Sequence, residues 1–143
     1  MCKMKRGTGY PWVVADVARG QWSALGREQH ILAVAQRDGR QVEVWVEQEP
    51  GGGGKSDAEA TVRNLAGFSI HKETVTTGKE LRAIPYAAQV EGGQVALVDG
   101  QWVEEYKAEL QHFPNSTYKD QVDASSGAFN RMVKGTGVGV FSK

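Results

Sequence analysis

Apolar positions recur along this chain with two periods, and the switches between them divide it into strands and helices. Tyr10 to Val17 is aromatic and β-branched and reads as a strand. Val42 to Val46 alternates valine with Glu43 and Trp45 and reads as a second. Between them Ser23 can cap a helix running to about Arg37, with Ile31, Val34 and Ala35 on one face and Asp38-Gly39 at its end. Ser56 and Glu59 stand at capping-box spacing, so the next helix is expected to start there. Its inner stripe is Ala58, Val62, Leu65 and Ala66, and Gly67 stops it. Phe68 to Val75 is a weaker third strand. Leu81 to Val90 reads as a helix disturbed by Pro85. Val95 to Val98, Asp99-Gly100 and Gln101 to Val103 read as a tight hairpin. Glu104 to His112 is helical, Pro114-Asn115 breaks it, and a last helix runs from about Lys119 to Val133. Strands alternating with helices predict an α/β layer fold.

A chain of 143 residues makes one domain that buries roughly two thirds of its unfolded surface. That domain is expected to span 1–134, with its basic first residues poorly ordered and 135–143 a Gly-rich flexible tail. The formal net charge is zero, so nucleic-acid contact would have to come from a local patch rather than a global field. The best such patch is Lys72, Lys79 and Arg82 around the third strand and the helix after it. The single cysteine, Cys2, excludes an intrachain disulfide and a Cys-based zinc site. No apolar run is long enough to span a bilayer, and Met1 to Arg6 is followed by Gly-Thr-Gly rather than an apolar stretch, so it does not read as a signal peptide.

Strand, Gly51-Gly52-Gly53-Gly54-Lys55-Ser56, then helix imitates a nucleotide-binding P-loop. The full motif needs glycine where Glu49 stands, and Glu47 and Glu49 would set negative charge beside the phosphates. The alternative is a strand-to-helix turn with Lys55 free to touch an anion. His30, His71 and His112 lack metal-ligand spacing, Ser125-Ser126 lacks an elbow context, and the four tryptophans read as packing.

The chemistry-bearing residues are two acidic pairs. Glu47 and Glu49 end the second strand. Asp120 and Asp123 open the last helix, to one side of its apolar stripe of Val122, Ser126, Phe129 and Val133, with Gly127 beside them. An acidic first turn is by itself a common helix-start signal. Carboxylates gathered from a strand end and a helix start are also what Mg²⁺ or Mn²⁺ requires for phosphodiester hydrolysis.

Several ordered segments resemble the C-terminal nuclease domain of tailed-phage terminase large subunits. They are Val14 to Ser23, Val46-Glu47-Gln48-Glu49-Pro50-Gly51, Lys55, Gly78-Lys79-Glu80-Leu81-Arg82, Ala87 to Val95, and Phe113-Pro114 followed by Asp120-Gln121-Val122-Asp123-Ala124. The resemblance covers Tyr10 to Arg131. It implies an RNase H-like mixed sheet flanked by helices and a metal-dependent endonuclease that cuts concatemeric double-stranded viral DNA during packaging. It implies Glu47, Asp120 and Asp123 as catalytic and metal-binding, Mg²⁺ or Mn²⁺ as cofactor, and Lys55, Lys79 and Arg82 as DNA-facing. Other terminase or portal components are the implied partners, in the bacterial host cytoplasm.

The chain departs from that pattern. The family's first catalytic aspartate lies on the first strand of the sheet, which is expected to be missing here, upstream of Met1. Asp16 matches a non-catalytic position. The family reads His-Asp-Asp-x-x-Asp before the last helix where this chain has Tyr118-Lys119-Asp120, and Lys119 would repel a cation. The ATPase motor is also missing from this sequence. The expectation is therefore weak or no activity for the chain alone, and self-association through the incomplete sheet. The rival readings are a non-catalytic DNA- or partner-binding packaging module and, behind it, a P-loop nucleotide binder.

Overall fold

Cys2 and Met4 alternate with Lys3 and Lys5, and this two-residue period makes the first strand, β1 (Cys2–Lys5). In the computed structural model, which describes residues 1–48, 50–135 and 140–142 (the last three as backbone only), Cys2 and Met4 are fully buried. The start of the chain is thus part of the core rather than a poorly ordered lead. β2 (Trp12–Val17) returns antiparallel to β1, with Cys2 opposite Val17 and Met4 opposite Val14. Then follow α1 (Ala24–Asp38), β3 (Glu43–Gln48), α2 (Gly52–Asn64), β4 (Ile70–Thr74), α3 (Lys79–Glu91), β5 (Val95–Leu97), α4 (Val103–His112), α5 (Asp120–Lys134) and β6 (Val140–Ser142).

The six strands form one mixed sheet in the order β4-β3-β6-β1-β2-β5. β3 is parallel to β4 and β6, β2 is parallel to β5, and β1 is antiparallel to both its neighbours. The Gly-rich tail expected at 135–143 thus contributes a strand, Val140–Ser142, to the middle of the sheet. β6 meets β3 only at Glu43, Val44 and Trp45. Among the described residues the far end of β3, Val46 to Gln48, has no strand on that side.

Two further expectations change. Val95 to Val103 is not a hairpin: β5 pairs in parallel with β2, and Val103 opens α4. Glu104 and Glu105 in that first turn favour the helix through its dipole, and buried Val103 and Tyr106 fix it to the core. α2 starts at Gly52, ahead of the capping box, with Gly51 at its N-cap in a left-handed conformation (φ 118°) that favours glycine. Gly52 to Lys55 are therefore a helical turn, not a phosphate-cradling loop. Glycine is a poor helix former, so this turn depends on tertiary support from buried Ala58 and Leu65 and from the Arg27–Asp57 pair at 3.1 Å.

The sheet separates two cores. α1 and α2 cover one face, where Ile31, Ala35, Val44, Val46, Ala58 and Leu65 pack together. α3, α4 and α5 cover the other, on Cys2, Met4, Trp12, Val14, Tyr86, Tyr106 and Phe129. α5 is the central helix of this second layer. Every residue from Gln121 to Phe129 is buried, and the small side chains of Ala124, Ser125, Ser126, Gly127 and Ala128 let neighbours approach from all sides. Met132 completes the buried stripe, while Val133, assigned to it from periodicity, is exposed. In this layer the Tyr86 and Tyr106 hydroxyls lie 2.7 Å apart, and Tyr106 donates to Ser125 Oγ at 2.9 Å. Their buried polar atoms are thereby satisfied, as burial requires. No helix among the described residues is long and apolar enough to cross a membrane.

Candidate functional site

The pleat of β3 sorts its residues. Val44 and Val46 enter the core under α1 and α2, so Glu43, Trp45 and Glu47 belong to the opposite face. Glu47 thus ends the strand beneath α3 and α5. Its side chain is 14 % exposed.

The start of α5 supplies the other carboxylates, and an unexpected residue leaves them available. Lys119 at the N-cap makes no side-chain cap bond. Instead buried Glu109 of α4 accepts from the backbone N–H of Gln121 and Val122 at 2.8 and 2.9 Å, and from the Gln121 side-chain amide at 2.9 Å. Asp120 and Asp123 are therefore not needed as caps. Asp120 stays largely exposed (71 %), whereas Asp123 is 10 % exposed.

α3 brings two cations to these acids. Lys79 and Arg82 are three residues apart and share a helical face. Arg82 Nη1 lies 3.1 Å from Glu47 Oε2, and Arg82 Nη2 pairs with Asp123 Oδ1. Lys79 Nζ is 3.2 Å from Asp123 Oδ2 and 3.6 Å from Asp120 Oδ1. The two cations expected to face DNA thus turn their charged ends to the carboxylates. Lys119, expected to repel a cation here, reaches Glu80 at 3.5 Å instead. Lys55 is exposed on α2, and Glu49 lies outside the described residues.

The electrostatics follow from this packing. Burial raises the pKa of Glu47 against the lowering effect of Arg82. Burial opposes the charged forms of Lys79 and Arg82, but the carboxylates outweigh it and raise both pKa values: Asp123 and then Asp120 for Lys79, Glu47 and then Asp123 for Arg82.

Glu47, Asp120, Asp123 and Lys79 line one pocket of about 470 Å³, with Arg27 and Asp57 on its rim. A second recess of about 280 Å³ adjoins Glu47 and Arg82 and is lined by Arg131, Lys134, Thr76 and Thr77. Arg131 pairs with Glu73 and stands 4.9 Å over the Trp45 ring. Neither Glu109 nor Arg131 stood out in the sequence. Arg131 did leave a signal, since Asp123, Gly127 and Arg131 follow one another at four-residue spacing on α5.

The donor types suit a hard divalent cation, which takes carboxylate oxygens. The arrangement does not. Among the described residues no three His, Cys, Asp or Glu side chains are grouped to hold a metal, and Glu47 and Asp123, the more buried carboxylates of this pocket, are already bridged by a guanidinium.

A mixed sheet covered by helices on both faces, with acids meeting at a strand end and a helix start, defines an α/β domain of the RNase H-like class. Residues 2–132 match the terminase RNaseH-like domain family, and the chain belongs to that family. No curated protein and no solved structure matches the chain.

Proposed function

We propose that this domain is the nuclease-type module of a DNA-packaging terminase, and that it meets the backbone of double-stranded viral DNA at the pocket of Glu47, Asp120 and Asp123. The observation that carries this reading is the convergence of Glu47 from β3 with Asp120 and Asp123 from the first turn of α5, far from it in sequence, on one pocket. The adjoining recess supports it through Lys134, a cation that suits a phosphate, beside the carboxylate-paired Arg82 and Arg131. Other terminase components or the portal are the partners this role implies. Mg²⁺ or Mn²⁺ is the cofactor it implies, with Glu47, Asp120 and Asp123 as the donors of suitable chemistry. In the paired arrangement Arg82 and Lys79 already satisfy those donors, so cutting by the chain alone is expected to be weak or absent.

That same pairing favours one second reading, a packaging module that binds DNA or a partner without cutting. Two measurements test the proposal. Duplex DNA binding followed by fluorescence anisotropy should weaken steeply with salt, and absence of binding at low salt would overturn the DNA-facing role. Plasmid nicking in millimolar Mn²⁺ should be slow at most and lost in Asp123→Asn. Nicking that survives both Asp123→Asn and Glu47→Gln would remove the pocket from the reaction, and DNA binding with no nicking in any condition would select the second reading.

A further inference from the structure

We infer that Arg82 is an internal cation that holds the acidic pocket shut: the guanidinium and a divalent ion compete for the same two carboxylates. The inference rests on reading the pocket as a cation site. Glu47 and Asp123 are 14 % and 10 % exposed and share Arg82, itself 11 % exposed. Two carboxylates this close and this little solvated need a positive charge between them, because water cannot screen their repulsion. A guanidinium provides that charge in a planar fork that serves both acids at once. Lys79 adds a looser second contact to Asp123 and Asp120.

Both cations come from α3, so closure is a property of one helix. α3 enters the core through Ala83 and Tyr86, while Leu81 and Ile84 on its other side are 65 % and 60 % exposed. The closed state is also incompletely satisfied. Arg82 Nε is buried with no hydrogen-bond partner among the described residues, a cost the open state need not carry. The recess lined by Thr76, Thr77 and Asn130 adjoins the guanidinium and gives the side chain somewhere to go. A DNA phosphate in that recess would attract Arg82 away from Glu47 and Asp123.

Mn²⁺ binding, read by the loss of the free-ion electron paramagnetic resonance signal, tests the lock without requiring activity. Arg82→Gln should bind Mn²⁺ at least ten-fold more tightly than the unaltered protein, and Arg82→Gln combined with Asp123→Asn should lose that gain. Arg82→Gln should also melt at lower temperature in EDTA and recover in Mn²⁺. If Arg82→Gln does not fold, Lys79→Gln, at a half-exposed position, should still raise Mn²⁺ affinity several-fold. Equal affinity in the unaltered protein and the variants would overturn the lock and leave the cation site standing. No Mn²⁺ binding in any variant would overturn the cation site itself.

Discussion

Glu109 Oε1 accepts from the backbone N–H of Gln121 at 2.8 Å, so a side chain of α4 caps α5 from outside the helix. The same carboxylate takes Val122 N–H and the Gln121 amide. This bond frees the two aspartates of the first turn to line the pocket, and it holds α5 at the angle that puts them there.

Glu109→Ala should therefore destabilise the fold well beyond an ordinary surface change. It leaves two buried N–H donors and a side-chain amide without their charged acceptor, a loss of about 3 kcal/mol. Urea unfolding followed by circular dichroism checks this. Glu109→Gln should recover part of the loss, since an amide oxygen still accepts but more weakly.

The two aspartates of the pocket should separate in stability. Asp123 is buried and pairs with both Arg82 and Lys79, so Asp123→Ala takes one of two carboxylates from a buried guanidinium, leaving it Glu47 alone, and should cost about 3 kcal/mol. Asp120 is mostly exposed with one long contact to Lys79, and Asp120→Ala should stay within about 0.5 kcal/mol. Thermal melts of both variants decide it, and equal effects would contradict the ion-pair geometry.

β6 occupies the middle of the sheet, between β3 and β1. Removing residues 135–143 should expose unpaired backbone on both neighbours and cause self-association. Sedimentation velocity of the shortened chain should show dimers or larger species, and a stable monomer at high concentration would show that β6 does not seal the sheet.

Alkaline pH should destabilise the protein through one buried cluster. Burial pushes the Cys2 thiol from 9.0 up to about 11 and raises Tyr86 and Tyr106 as well. The folded state holds these protons more tightly than the unfolded chain does. The stability contributed by Cys2 is complete below pH 9 and is lost as pH rises through about 11, amounting to about 3 kcal/mol. Urea midpoints should fall over that window. Thiol reagents at pH 8 should modify Cys2 only as fast as the protein opens.

Periodicity and turn signals located the five helices and four of the strands, β2 to β5, of the described residues, because alternation and a 3.6-residue stripe report which face is buried. They failed where local signals were ambiguous. β1 is four residues long and its two lysines resembled a charged lead. β6 lies in glycine-rich sequence whose strand character comes from its neighbours. The region from Val95 to Val103 carries a hairpin turn signal, yet β5 is taken up by β2 and Val103 opens α4. The acids of the site could be named from sequence as a strand end and a helix start. Their partners could not: which cation reaches Glu47 depends on how α3 lies over β3, and that contact spans residues 47 and 82.

The sequence by itself determined the α/β class, the approximate elements and the family to which the chain belongs, since these rest on local patterns of apolar and turn residues and on ordered motifs. The tertiary structure decided the rest. Charges are paired by distance through space, not along the chain, so only the folded layers could show Glu109 capping α5, β6 lying between β3 and β1, and Arg82 held between Glu47 and Asp123.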